Sequence, residues 1–166
     1  MSYIQELRRS VGNAPLVMVG ATVLILNDQA ELLMLLRTDN GCWGVPGGAL
    51  ELGEHLEDTA RRETLEETGL NIDKLYLFDA FSGPEMYYRY PHGDEVYIVT
   101  VVYLAYDVGG EVLVLSNEHS QWNYFPLDRL PDPISPPIIP ILQKFNNLKI
   151  RDISNLSNSD YKEAMK

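Results

Sequence analysis

The chain has one cysteine, Cys42, in 166 residues. An internal disulfide is therefore excluded, and so is a cysteine-rich zinc site. Basic residues are scarce: 13 Lys and Arg stand against 24 Asp and Glu, a formal net charge of −11. Such a surface repels nucleic-acid backbone and anionic lipid, so neither nucleic acid nor membrane is expected as a partner. The longest apolar run, Val96–Val108, is broken by tyrosines and Thr100. It falls short of the ~20 apolar residues a membrane span needs. The opening "MSYIQELRRSVGNAP" has no apolar core of signal-peptide length, and a reducing cytosol is the expected location. Several chemical signatures are missing too. There is no G-x4-G-K-[ST], no G-x-G-x-x-G after a strand and no serine in a nucleophile elbow. His55, His92 and His119 are scattered without metal-ligand spacing and read as surface or turn residues. Cys42 has no evident activating histidine, and packing explains it better.

What is present is an alternation of strand and helix patterns. "SYIQELRRSV" predicts a short amphipathic helix closed by Gly12. "LVMVGATVLILN" and "ELLMLLR" predict two strands, so Val17–Arg37 reads as a hairpin. "TDNGCWGVPGG" reads as a loop. A helix follows over His55–Thr68, with Leu56, Thr59, Ala60 and Leu65 inward and Gly69 as its cap. "KLYLFDAFSG", "DEVYIVTVVYLAYDV" and the segment around Trp122 read as further strands; Trp122, Tyr124 and Phe125 are assigned mainly to the core. "SPPIIPILQKFNN" predicts a last helix with Ile138, Ile141, Leu142 and Phe145 on one stripe. This order suits one α/β domain over residues 1–150, a mixed sheet between helices, with a polar tail over 151–166.

Between Gly47 and Leu70, seven carboxylates (Glu51, Glu54, Glu57, Asp58, Glu63, Glu66 and Glu67) crowd around only Arg61 and Arg62. Like charges at spacings of three and four weaken a helix. Glu63, Glu66 and Glu67 stand at i, i+3 and i+4, so they share one face within a turn. Acidic residues so spaced are usually a solvated face. Three carboxylates together also make a hard oxygen site that suits Mg²⁺ or Mn²⁺.

The full spacing decides between these readings. Gly48, five residues, Glu54, seven residues, Arg62-Glu63, two residues, Glu66-Glu67, one residue, Gly69 and Leu70: this resembles the Nudix box, G-x5-E-x7-R-E-U-x-E-E-x-G-U. Thr64 is the single departure, β-branched where the box has an apolar residue. The chain thus resembles the Nudix (MutT-like) hydrolases of small single-domain type. The resemblance implies an α/β/α sandwich with a central mixed sheet. It also implies hydrolysis of a pyrophosphate bond in a nucleoside diphosphate linked to another moiety, with Mg²⁺ or Mn²⁺ as cofactor. By resemblance Glu66 and Glu67 map to the main metal ligands, Glu63 to a ligand or water-activating position, and the Gly47 carbonyl to an additional ligand. Arg62 maps to the residue that orients Glu63, and Glu54 to a buried partner at the loop–helix join. Gly48 and Gly69 are structural members of the box.

Two matters stay open. The general base is Glu118, in the polar loop before Trp122, or Glu63; Glu95 and Glu111 are weaker candidates. Tyr87, Tyr88, Arg89 and Tyr90 either stack a base and grip a phosphate or belong to edge packing, and Arg37 is a further substrate-binding candidate. The alternative to an enzyme is a catalytically silent Nudix-fold module that senses a nucleotide; such modules typically lose the box carboxylates, which are all present here. The partner is a nucleotide-type small molecule, from nucleoside triphosphates to ADP-ribose, dinucleoside polyphosphates and sugar nucleotides. A homodimer is open, since the family often dimerises.

Overall fold

The computed structural model describes residues 2–106 and 108–153, with side chains described as far as Leu148. Most of the tail expected over 151–166 lies outside the described residues. Strand β1 (Leu16–Leu26) and the later strand β7 (Glu95–Tyr106) run parallel at the centre, paired from Leu16↔Val96 to Leu26↔Tyr106. Their apolar character on both faces follows from cover on both sides. Ala21, Val23, Ile25, Tyr103 and Ala105 face helix α2 (Leu56–Thr68) in one core cluster. The alternating residues Leu24, Leu26, Val102 and Leu104 face helix α3 (Ile139–Ile153) in a second. Ile141, Leu142 and Phe145 supply the helical side of that second core, as the sequence stripe anticipates. Each fully buried Leu or Ile contributes about 1.5–3 kcal/mol.

Strand β2 (Leu32–Arg37) pairs antiparallel with β1 at Leu26↔Leu32, and the two then diverge. The opening is filled by strand β4 (Gly47–Ala49), which pairs with Gly20–Thr22 of β1. Here the structure corrects the reading of 38–48 as loop alone, since β3 (Trp43–Gly44) also pairs with β2. The sequence hides β4 because glycine disfavours strands, and only the partner strand reveals the need for it. A Cβ at Gly20 would collide with the Gly48 carbonyl oxygen, so the two backbones approach too closely for any side chain. Strands β5 (Tyr76–Phe81) and β6 (Tyr87–Arg89) pair antiparallel with β7, and β8 (His119–Phe125) pairs antiparallel with β2.

Helix α1 (Tyr3–Val11) forms as expected, with Ser2 and Gln5 in a reciprocal capping box. Arg8 ties it to the sheet through the Glu95 carbonyl at 2.6 Å and Asp94 at 3.1 Å. Two packing expectations need correction. Leu65 is 44% exposed, and Thr64 and Thr68 take the inward positions of α2 instead. Trp122 is 38% exposed because no layer packs over this part of β8, where Ser120, Gln121 and Asn123 on both faces are exposed too. Among the described residues, no helix is long and apolar enough to cross a membrane.

Candidate active site

The approach of β4 to α2 builds the site. Helix α2 ends where Gly69 adopts φ 73°, and its amide donates to the Leu65 carbonyl, a glycine cap in the left-handed region. At the other end of the box Arg62 spreads its guanidinium over several acceptors. Its Nε and Nη2 donate to the two oxygens of Glu54 at 2.8 and 3.0 Å, and Nη1 donates to Glu63 Oε1 at 2.7 Å. A further bond from Nη2 reaches the Ala49 carbonyl at 3.1 Å and clamps helix to strand. Glu54 also accepts from Thr59 Oγ1 and the Glu51 amide. Hydrogen bonding from Arg62 therefore holds the Glu54 carboxyl down at about 2.

Gly48 lies directly against Glu63; a Cβ at that position would overlap its carboxylate. Burial pushes Glu63 above the usual carboxylate range, Arg62 opposes that, and Glu66 and Glu118 add repulsion. Glu67 is 6% exposed. Its Oε2 accepts from the Gly47 amide at 3.1 Å, while Oε1 stands 3.8 Å from His119 Nδ1, too far for a hydrogen bond. Burial, with Glu63 and Glu118 nearby, raises Glu67 to about 8. Glu66 points outward, 60% exposed and 3.6 Å from Arg62. Among the described residues no three acidic, histidine or cysteine side chains already converge on one point. The donor set nevertheless fits a hard divalent cation. It is all oxygen from one helical turn, and its buried member lacks the positive partner that would keep it ionised.

From Glu67 a cleft opens between the sheet and the start of α3. Arg37, Thr22, Thr100 and His119 line its polar part, and Met18, Met86, Ile98 and Ile138 are among its apolar lining, with Tyr88 and Tyr90. A register shift in the β2–β8 pairing between Leu36 and Arg37 sets Arg37 opposite His119. Thr38 then donates from its amide (2.8 Å) and Oγ1 (3.0 Å) to the Glu118 carbonyl, which fixes that residue's backbone beside the site.

A family model described as NUDIX domain matches residues 17–145. The chain belongs to the NUDIX family. The ADP-ribose pyrophosphatase of Methanocaldococcus jannaschii is 32% identical over 110 residues, 64% of this chain and 61% of that protein. The chain thus spans about three-fifths of that relative's length. The nucleoside triphosphatase NudI of Escherichia fergusonii is 34% identical over 108 residues, 59% of this chain and 73% of that protein. Among solved structures, the MutT NUDIX hydrolase of Burkholderia pseudomallei superposes with a TM-score of 0.65 at 29% identity, covering 78% of this chain and 96% of that one. The α/β/α sandwich is therefore the fold of this NUDIX chain.

The NUDIX box brings Gly47, Gly48, Glu54, Arg62, Glu63 and Glu67 into direct contact, with Glu66 on the rim. Glu118 is exposed next to them and is close enough to raise the carboxyls of both Glu63 and Glu67. The tyrosine cluster divides. Tyr88 and Tyr90 line the cleft, their rings edge to face at 4.8 Å, and Asn40 Nδ2 donates to the Tyr88 hydroxyl at 2.7 Å. Tyr87 and Arg89 lie on the opposite side of β6, away from it. Tyr87 donates to Glu95 at 2.8 Å and packs on Tyr97. Arg37 lines the cleft but spends two donors on Asp39, at 2.9 and 2.8 Å. Read from sequence as a surface or turn residue, His119 is 5% exposed in this NUDIX site, and burial, with Arg37 nearby, depresses it to about 4. No local signal marks His119, because the register shift that turns it inward belongs to the β2–β8 pairing. Thr22 and Thr100 were likewise hidden inside apolar strands.

Proposed function

We propose that this NUDIX chain hydrolyses a pyrophosphate bond in a nucleoside diphosphate linked to another group, with Mg²⁺ or Mn²⁺. One observation carries the reading: a buried carboxylate, Glu67, lines a cleft that also presents the apolar Met18, Met86, Ile98 and Ile138 and the aromatic Tyr88 and Tyr90. Such a cleft suits a molecule charged at one end and flat and neutral at the other. Relatives named for ADP-ribose and for nucleoside triphosphates agree with it, since both compounds carry phosphoanhydride bonds. Glu63, Glu66, Glu67 and the Gly47 carbonyl would hold the cation. When bound, it supplies charge neutralisation at the phosphoryl oxygens and a water of lowered pKa. Arg62 orients Glu63 and keeps it off the helix surface. Glu118 takes the proton from the attacking water, while Tyr88 and Tyr90 hold the neutral end.

The test is phosphate and pyrophosphate release from a nucleotide panel, with Mg²⁺, with Mn²⁺ and with chelator. Release that needs the cation is expected for at least one compound; release that ignores chelator overturns the reading. On the compound turned over fastest, Glu118→Gln is expected to lower kcat by ~10²–10⁴ with KM kept, and higher pH to restore part of the loss. A variant within a few-fold of wild type at neutral pH returns the proton-accepting role to Glu63.

A further inference from the structure

Thr22 of β1 and Thr100 of β7 project side by side into the cleft, their Oγ1 atoms 2.9 Å apart. They are 8% and 3% exposed. Around them on this face the two strands carry Met18, Leu24, Ile98 and Val102, so the hydroxyls are set in an apolar floor. Two hydroxyls that bond to each other use one of their two protons. Whichever one donates, the other keeps an O–H for which no acceptor is found among the described residues. A buried donor left unpaired costs about 1–3 kcal/mol, whereas valine has nearly the same shape and no such cost. A cross-strand threonine pair stabilises a sheet on its own account; it does not require a spare proton that opens on a cleft.

The cleft also limits what meets that proton. Arg37 is the one cation among the cleft's lining residues, and two of its five N–H donors go to Asp39. Around the threonine pair the lining is Met18, Met86, Ile98 and Ile138 with Tyr88 and Tyr90, a surface that suits an uncharged planar group.

We infer that the Thr22–Thr100 pair is a specificity element that donates one hydrogen bond to an acceptor, a ring nitrogen or carbonyl oxygen, on the neutral planar group of the substrate. The inference rests on the hydrolytic reading above. Its test takes the nucleotide that wild type hydrolyses best, together with analogues in which one ring nitrogen is replaced by C–H or one carbonyl oxygen is removed. In wild type, one analogue is expected to raise KM about three- to tenfold with kcat little changed, the size of one hydrogen bond. In Thr22→Val/Thr100→Val the parent nucleotide is expected to show that same rise, and the analogue no further loss, because both changes remove one interaction. Thr22→Ser/Thr100→Ser is expected to restore discrimination. If the double valine variant fails to fold, the single variants carry the comparison: the valine that removes the donating hydroxyl is expected to shrink the ratio between parent and analogue, and the other valine to leave it; a ratio unchanged in both overturns the inference. An analogue profile that is the same in wild type and valine variants overturns this inference and leaves the hydrolytic reading standing. A wild type that hydrolyses no nucleotide overturns both.

Discussion

Arg62 joins three parts of the chain at once: the loop residue Glu54, the strand carbonyl of Ala49 and the helix residue Glu63. Its donors leave a rigid planar fork in different directions, and a lysine ammonium has three donors on one atom. Arg62→Lys keeps the charge yet cannot serve Glu54 bidentately while holding Glu63. It is expected to reduce kcat ~10–100-fold, the range typical of residues that orient a ligand without touching substrate. Steady-state kinetics at saturating cation check this, and a variant equal to wild type removes the orienting role. The box arginine and both its carboxylates are legible from spacing alone. That the guanidinium also clamps β4 is not, because nothing local to Arg62 identifies Ala49 as its neighbour.

Element by element, two glycines of the same region separate packing from chemistry. At Gly20 an added Cβ meets the backbone oxygen of Gly48, and at Gly48 it meets the carboxylate end of Glu63. A strand backbone cannot move aside cheaply, but a side-chain tip can. Gly20→Ala is therefore expected to cost about 1–3 kcal/mol, the usual range for overpacking. Thermal melting is expected to show a drop of roughly 2–12 °C. Gly48→Ala is expected to melt near wild type and lose turnover, since Glu63 must leave its place under Arg62. The reverse pattern, a stable Gly20→Ala or an unfolded Gly48→Ala, contradicts this division. The alternation of Tyr88 and Tyr90 against Tyr87 and Arg89 is another element-scale fact. It follows from the short strand β6, which three residues among tyrosines do not announce.

For the whole molecule, two carboxyls of the box move in opposite directions, and stability follows both. Glu54 titrates at about 2 when folded and near 4.5 as a free carboxyl, so the unfolded chain binds its proton first. Stability from Glu54 is present above about 4.5 and is lost as pH falls towards 2. Glu67 titrates at about 8 when folded against 4.5. Between those values the native protein keeps a proton that the unfolded chain has released, so stability falls as pH rises from 4.5 to 8. In chelator, melting temperature is expected to decline above about pH 6.5; below that, His119, held at about 4 when folded against 6.5, gains stability as pH rises and offsets Glu67. Glu67→Gln, neutral throughout, is expected to flatten that decline while removing cation-dependent turnover by several orders of magnitude. A chelated wild type whose melting temperature rises steadily from pH 5 to 8 contradicts the burial of Glu67.

The sequence by itself determined the helix of the box, its glycine cap, the apolar centre of the sheet and membership of a family, because each is written in local spacing or in apolar periodicity. Tertiary structure alone decided that β4 fills the gap between β1 and β2, that a register shift turns His119 inward, and that Tyr88 and Tyr90 rather than Tyr87 and Arg89 face the cleft. It also decided that Thr22 and Thr100, 78 residues apart, share a hydrogen bond. Register and burial are properties of pairs of segments, and one segment does not encode where its partner lies.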